Sequence, residues 1–158
     1  MKTIVTAENG NQNLLITREF DLPVESLFQA HVDPELIVQW MSNPYATAKL
    51  VKFEPKKHGS YHYESVDAAG KVVFNSHGVF HDIVPNTRII RTFEMENGPF
   101  GIVLEFSEFE SLGANKSRLT IHGIYESAAK RDELLKMPFR EGMNMAHDKI
   151  QVIGENLK

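Results

Sequence analysis

The sequence predicts an α+β fold in which one curved antiparallel sheet of six to seven strands wraps a long C-terminal helix, with two short helices after the first main strand. Three observations predict it. Six segments between Ala46 and Glu126 alternate in hydropathy with a period of two, and only short turn clusters separate them. Two stretches of helical spacing precede this run. One longer helical stripe follows it, and no other element is long enough to cover the apolar face of the sheet.

The elements follow in order. Asn9-Gly10 is a tight-turn signal, so Thr3–Thr6 and Asn13–Phe20 can pair as a hairpin. In the second of these segments Leu14, Ile16 and Arg18 share one face, and Leu15, Thr17 and Glu19 the other. Pro23 suits a first helical turn, and Val24, Leu27, Phe28 and His31 follow at helical spacing. Asp33 then serves as N-cap to a second helix with Pro34 at its first position and Leu36, Ile37, Trp40 and Met41 along it.

Strands are expected near Ala46–Phe53, Ser60–Val66, Val72–Ile83, Thr87–Met95, Ile102–Glu110 and Ser117–Glu126. Clusters such as Asp67-Ala68-Ala69-Gly70 and Glu96-Asn97-Gly98-Pro99 turn the chain between them. Helical spacing resumes after Ser127, but Pro138 interrupts it, so the long helix should begin near Phe139. Its inward stripe is Met143, Ala146 or His147, Ile150 and Ile153. Residues 1–158 read as one domain, with 1–12 an N-terminal extension that can supply a hairpin strand.

Composition narrows the function. A 42% hydrophobic and 24% charged chain of 158 residues can bury a core without staples. The formal charge of -4 argues against a nucleic-acid partner, which would call for a clustered basic excess. Cysteine is absent, so disulfides and thiolate chemistry are excluded. No apolar run suits a signal peptide or a membrane span of about 20 residues, and a cytoplasmic protein is expected.

Several residues in this order resemble the START-like (SRPBCC, helix-grip) superfamily, and within it the homologues of the heat-shock-protein ATPase activator. They are Arg18-Glu19-Phe20 before Pro23, then Leu27-Phe28, Asp33-Pro34-Glu35-Leu36 and Trp40. His58-Gly59-Ser60-Tyr61, Gly78-Val79-Phe80, Val84-Pro85 and Ser117-Arg118-Leu119-Thr120-Ile121 continue the pattern. The resemblance implies a helix-grip fold with a cavity between sheet and C-terminal helix. It departs at Met41, where the family often has an aromatic, and at Met143, Met145 and Ala146, where it often has a Gly-Trp pair. Methionine fills irregular space readily, so the cavity is expected to differ on its helix side.

The candidate lining is Tyr61, Tyr63, Phe80, Phe93, Leu104 and Phe106 at strand spacing, closed by Phe28, Trp40 and Met41 and, on the helix, by Met143, His147 and Ile150. Arg91 falls in register with Ile89, Phe93 and Met95. Facing inward it needs an acidic partner, for which Glu108 is the candidate. A β-bulge that swings Arg91 to solvent is the favoured alternative. His147 is read as a buried histidine satisfied by a strand group rather than as a general acid or base, since one histidine defines no catalytic constellation.

His58 and His62 are four apart, as are His77 and His81, but along a strand each pair spans roughly 13 Å, too far for one ion. No metal and no cofactor are expected. The first expectation is therefore a binding protein for a small hydrophobic or lipid-like molecule, without a catalytic motif. The alternatives are a polyketide cyclase, aromatase or dehydratase-type enzyme, or a protein-interaction or cochaperone-like module. A homodimer through strand edges is compatible with the pattern, although no residue singles it out.

Overall fold

Eight strands, one more than the upper expectation, form a single antiparallel sheet in the order β1-β2-β8-β7-β6-β5-β4-β3. A computed structural model describes residues 1–157. The strands are β1 (Ile4–Thr6), β2 (Asn13–Phe20), β3 (Ala46–Phe53), β4 (Ser60–Asp67), β5 (Val72–Val84), β6 (Arg88–Met95), β7 (Ile102–Gly113) and β8 (Lys116–Ile124). The helices are α1 (Val24–Val32), α2 (Pro34–Met41), α3 (Ala128–Leu135) and α4 (Phe139–Glu155). The extra strand is β1, which pairs with β2 in the hairpin that Asn9-Gly10 announces.

The two short helices carry the chain from β2, next to the edge strand β1, to β3 at the opposite edge of the sheet. Asp33 caps α2 by accepting a hydrogen bond from the Glu35 amide at 3.0 Å. The Trp40 indole donates to the Ala30 carbonyl at 2.8 Å, which ties α2 to α1. Each hairpin from β3 to β6 contains a register shift, at Leu50/Lys52, Ser65/Val66 and Phe80/Asp82. Such bulges raise local twist and let a sheet curl.

Helix α4 begins at Phe139, immediately after Pro138, and buries His147, Ile150 and Gly154. Ile153, expected inward, is half-buried, because the helix meets Leu22 at Gly154: a Cβ there would stand 2.4 Å from Leu22 Cδ1. Two apolar clusters flank the enclosed space. One gathers Phe20, Leu22, Leu27, Phe28, Tyr61, Phe80, Phe109 and Ile150, and the other Leu14, Ile16, Phe100, Val103, Tyr125 and Leu134. Phe93 and Ile121 pack against both. Burial of side chains of this size contributes about 1.5–3 kcal/mol each.

Candidate functional site

Between the two clusters lies a cavity of about 230 Å³. Its sheet wall comes from alternate residues of β2, β4, β5, β6, β7 and β8, whose Cβ atoms point to the concave side. Its roof comes from His31, Ile37, Trp40 and Met41 of the short helices and from Phe139, Met143 and His147 of α4. Most of this lining is apolar, and the polar exceptions are His31, Tyr63, Arg91, Glu105, Ser107, Tyr125 and His147.

Arg91 is the centre of the polar group. It stays on the concave side because the Phe80/Asp82 bulge takes up its extra residue, His81, in β5 and leaves β6 in phase. The favoured alternative of a solvent-facing Arg91 is thereby corrected. Its partner is Glu105, not Glu108: Nε donates to Glu105 Oε1 at 2.8 Å, while Glu108 is exposed on the other face. The guanidinium also lies 5.0 Å from the Tyr61 ring centroid and 5.6 Å from that of Phe93.

The side chains of Arg91 and Glu105 keep 26% and 20% exposure, and both line the cavity. Burial works against the guanidinium charge, but Tyr61, Glu105 and Tyr63 outweigh it, and the group is held above its usual range. The Tyr63 hydroxyl is a second hydrogen-bonding neighbour of the guanidinium on the cavity wall.

The remaining polar groups are kept neutral. Burial pushes the Tyr61 and Tyr63 hydroxyls up, and Tyr125 is raised by burial and then by Glu105. His31 is held down at about 4, first by burial, against the opposing effect of its bond to Leu27. Its Nδ1 lies 2.8 Å from the Leu27 carbonyl, which can only accept, so the proton sits on Nδ1 and Nε2 is an acceptor. His31 packs edge-on to Phe109.

His147 is lowered to about 3, by burial first and then by His31 and Arg18. Its Nδ1 meets Thr3 Oγ1 at 2.7 Å, on the residue just before β1. Thr3 also receives a bond from Arg18 and donates its amide to Asn144 Oδ1 at 3.0 Å. Arg18, 5% exposed, pairs with Asp148 at 2.8 Å. The N-terminal segment is thus stitched to α4 beside the cavity.

Of the residues expected to line the site, Trp40, Met41, Tyr63, Phe80, Arg91, Phe93, Met143 and His147 meet at this cavity. Phe28 and Ile150 are core residues outside it. Tyr61 lies behind the wall, with its hydroxyl donating to the Thr92 carbonyl. Gly78 makes this possible, since a Cβ there would stand 2.0 Å from that carbonyl oxygen. Leu104 and Phe106 are corrected outright, because they occupy the convex face, where Phe106 packs against His122. The concave face of β7 is Val103, Glu105, Ser107 and Phe109.

Sequence reasoning missed His31, Glu105, Ser107 and Tyr125 as lining residues. For His31 a signal existed, its place on the α1 stripe; for Glu105 it was the need of an inward Arg91 for a carboxylate.

Comparison with known proteins places this architecture. The sequence model of a family described as Activator of Hsp90 ATPase homolog 1-like protein matches residues 21–155. Among solved structures, a Rhodobacter sphaeroides protein superposes with a TM-score of 0.87 at 19% identity, covering 99% of this chain and 100% of that one. An Arthrobacter aurescens protein gives 0.83 at 21%, covering 98% and 92% respectively. The protein Ms6760 of Mycobacterium smegmatis gives 0.80 at 22%, covering 96% of each chain. At these identities the likeness establishes the START-like helix-grip fold. No curated protein sequence matches the chain. No helix among the described residues is long and apolar enough to cross a membrane.

Proposed function

The chain belongs to the Activator of Hsp90 ATPase homolog 1-like family, and on that premise we propose that its cavity binds one small, mostly apolar molecule carrying a hydrogen-bond acceptor. The acceptor, a carbonyl, carboxylate or phenolic oxygen, meets the Nη donors of Arg91, while the rest of the molecule packs against Trp40, Phe80, Phe93 and Ile121. The observation that carries this reading is a guanidinium that lines a mostly apolar cavity, paired through Nε with Glu105 and flanked by the Tyr63 hydroxyl. A hydrogen bond from a guanidinium to a ligand oxygen is charge-assisted, roughly twice as strong as a neutral one, and is strengthened further by the low dielectric of such a space.

Size sharpens the class. An apolar cavity of ~150 Å³ accommodates benzene, so about 230 Å³ suits a molecule of one or two rings rather than an extended acyl chain. The cyclase or dehydratase alternative needs converging polar groups at the reacting atoms. His147 is bonded to Thr3 and Arg91 to Glu105, with no bond joining the two, which favours binding over catalysis.

A thermal-shift series tests the proposal, because a ligand of the native state alone must raise the midpoint. Monocyclic and bicyclic aromatic acids and phenols should give saturable shifts, and fatty acids of twelve or more carbons should not. Ser107→Leu, which fills part of the cavity, should abolish those shifts while leaving the protein folded. No saturable shift from any aromatic acid or phenol at millimolar concentration would sink the reading.

A further inference from the structure

A second cluster of ligand-type side chains stands on the opposite, convex face of the sheet. His62 on β4 and His77 on β5 are direct cross-strand partners. Their rings stack with centroids 4.2 Å apart and planes at 21°. Glu96 follows β6, and its amide donates to the Asn75 carbonyl at 2.9 Å, which brings its side chain alongside β5. Glu96 Oε2 lies 2.7 Å from His77 Nε2. On the other side, Asn75 Oδ1 lies 2.7 Å from His62 Nε2 and fixes the orientation of that ring.

We propose that His62, His77 and Glu96 bind one divalent transition-metal ion of the zinc type. One ligand atom from each lies within 4.8 Å of those of the other two. Around a tetrahedral zinc with bonds of about 2.0–2.2 Å, neighbouring ligand atoms stand about 3.4 Å apart. Small side-chain rotations therefore close the set. Two imidazoles and one carboxylate are a borderline-to-hard N₂O donor set that suits zinc, nickel or copper(II) rather than calcium or magnesium. The remaining coordination position opens to solvent, since the His77 and Glu96 side chains are 40% and 52% exposed.

A plain surface hydrogen bond accounts for His77 with Glu96. It gives no reason for a second imidazole stacked on the first and held in place by Asn75, whereas a shared ion does. The in-strand separations of His58 from His62 and His77 from His81 do exclude an ion within one strand. Pairing across strands is what brings His62 to His77.

The site is independent of the cavity. Tyr61 and Tyr63 flank His62 along β4 and point to the concave side, so the ion and the cavity lie on opposite faces of one strand.

The test uses tag-free, chelator-treated full-length protein titrated calorimetrically with zinc, with cobalt(II) absorption reporting a tetrahedral site. The expected result is saturation at one equivalent. His62→Gln, His77→Ala and Glu96→Gln should each weaken binding about tenfold or more, and His122→Ala, on the same convex face, should leave it unchanged. Circular dichroism and the unfolding midpoint of each metal-free variant, expected near the parent value, exclude misfolding as the cause. Absence of saturable one-to-one binding overturns the proposal. So does binding that survives both histidine substitutions, because the ion then sits elsewhere.

Discussion

Replacing Arg91 by leucine tests whether the cavity is a dry, low-dielectric space. The substitution removes the guanidinium and strands the Glu105 carboxylate among Tyr63, Tyr125 and Phe93. Breaking a buried ion pair from one side costs about 3–5 kcal/mol. With the two side chains 26% and 20% exposed, we take the lower end of that range. Loss of the guanidinium contacts with Tyr61 and Phe93 is included in it.

For a chain of 158 residues, about 3 kcal/mol corresponds to a fall in Tm of about 6–12 °C. The double variant Arg91→Leu/Glu105→Leu removes the orphaned charge, so it should recover about 2 kcal/mol or more of the loss. Acidification should also relieve the single variant, because protonation abolishes the unpaired charge. Urea unfolding at pH 7 with parent, both single variants and the double variant gives the coupling energy directly. An Arg91→Leu variant within about 1 kcal/mol of the parent refutes the reasoning, since the carboxylate must then be solvated and the cavity wet. A double variant less stable than Arg91→Leu alone refutes it as well.

Three other outcomes follow from the same structure. His31 and His147 titrate near 4 and 3 in the folded chain against an ordinary value of 6.5, so the unfolded state binds more protons between those values. Their contribution is complete above pH 6.5 and is lost as pH falls, with a limiting slope of about 1.4 kcal/mol per pH unit for each. Urea midpoints at pH 7, 6 and 5 measure it; His31→Gln or His147→Asn should each remove one proton of the dependence, and a flat parent profile contradicts the burial argument. Gly78→Ala should cost about 3 kcal/mol, at the upper end for overpacking, because the obstacle is the Thr92 backbone and the Tyr61 ring; a loss below 1 kcal/mol, read from the same urea curves, would mean that the strands can part there. Gly142→Ala meets nothing within 4 Å on α4 and should raise stability by about 0.5–1 kcal/mol, a calorimetric gain of about 2 °C, and a decrease would show that the turn needs glycine.

The backbone architecture was legible because its punctuation is local. Pro138 sets the start of α4, Asp33-Pro34 the start of α2, and Asn9-Gly10 the first hairpin. The inward face of β7 was not legible, for a physical reason. Ile102, Leu104 and Phe106 alternate as a buried face should, yet the concave positions are Val103, Glu105 and Ser107. A wall that must present polar groups to a cavity inverts the hydropathy signal on which the phase was assigned. His62 and His77 went unpaired in the sequence because strand register is a tertiary property that a one-dimensional spacing cannot carry.

The attachment of Thr3 to α4 has a practical consequence. Through its hydroxyl it shares a hydrogen bond with a cavity histidine, and through its amide it reaches Asn144 on the same helix. The backbone amide of Thr3 is therefore a natural spectroscopic probe: an occupant that shifts His147 should displace the nitrogen and proton resonances of a residue at the start of the chain. For the same reason an affinity handle fused ahead of Met1 sits two residues from that contact, and protein destined for ligand screens is better prepared with the handle cleaved away.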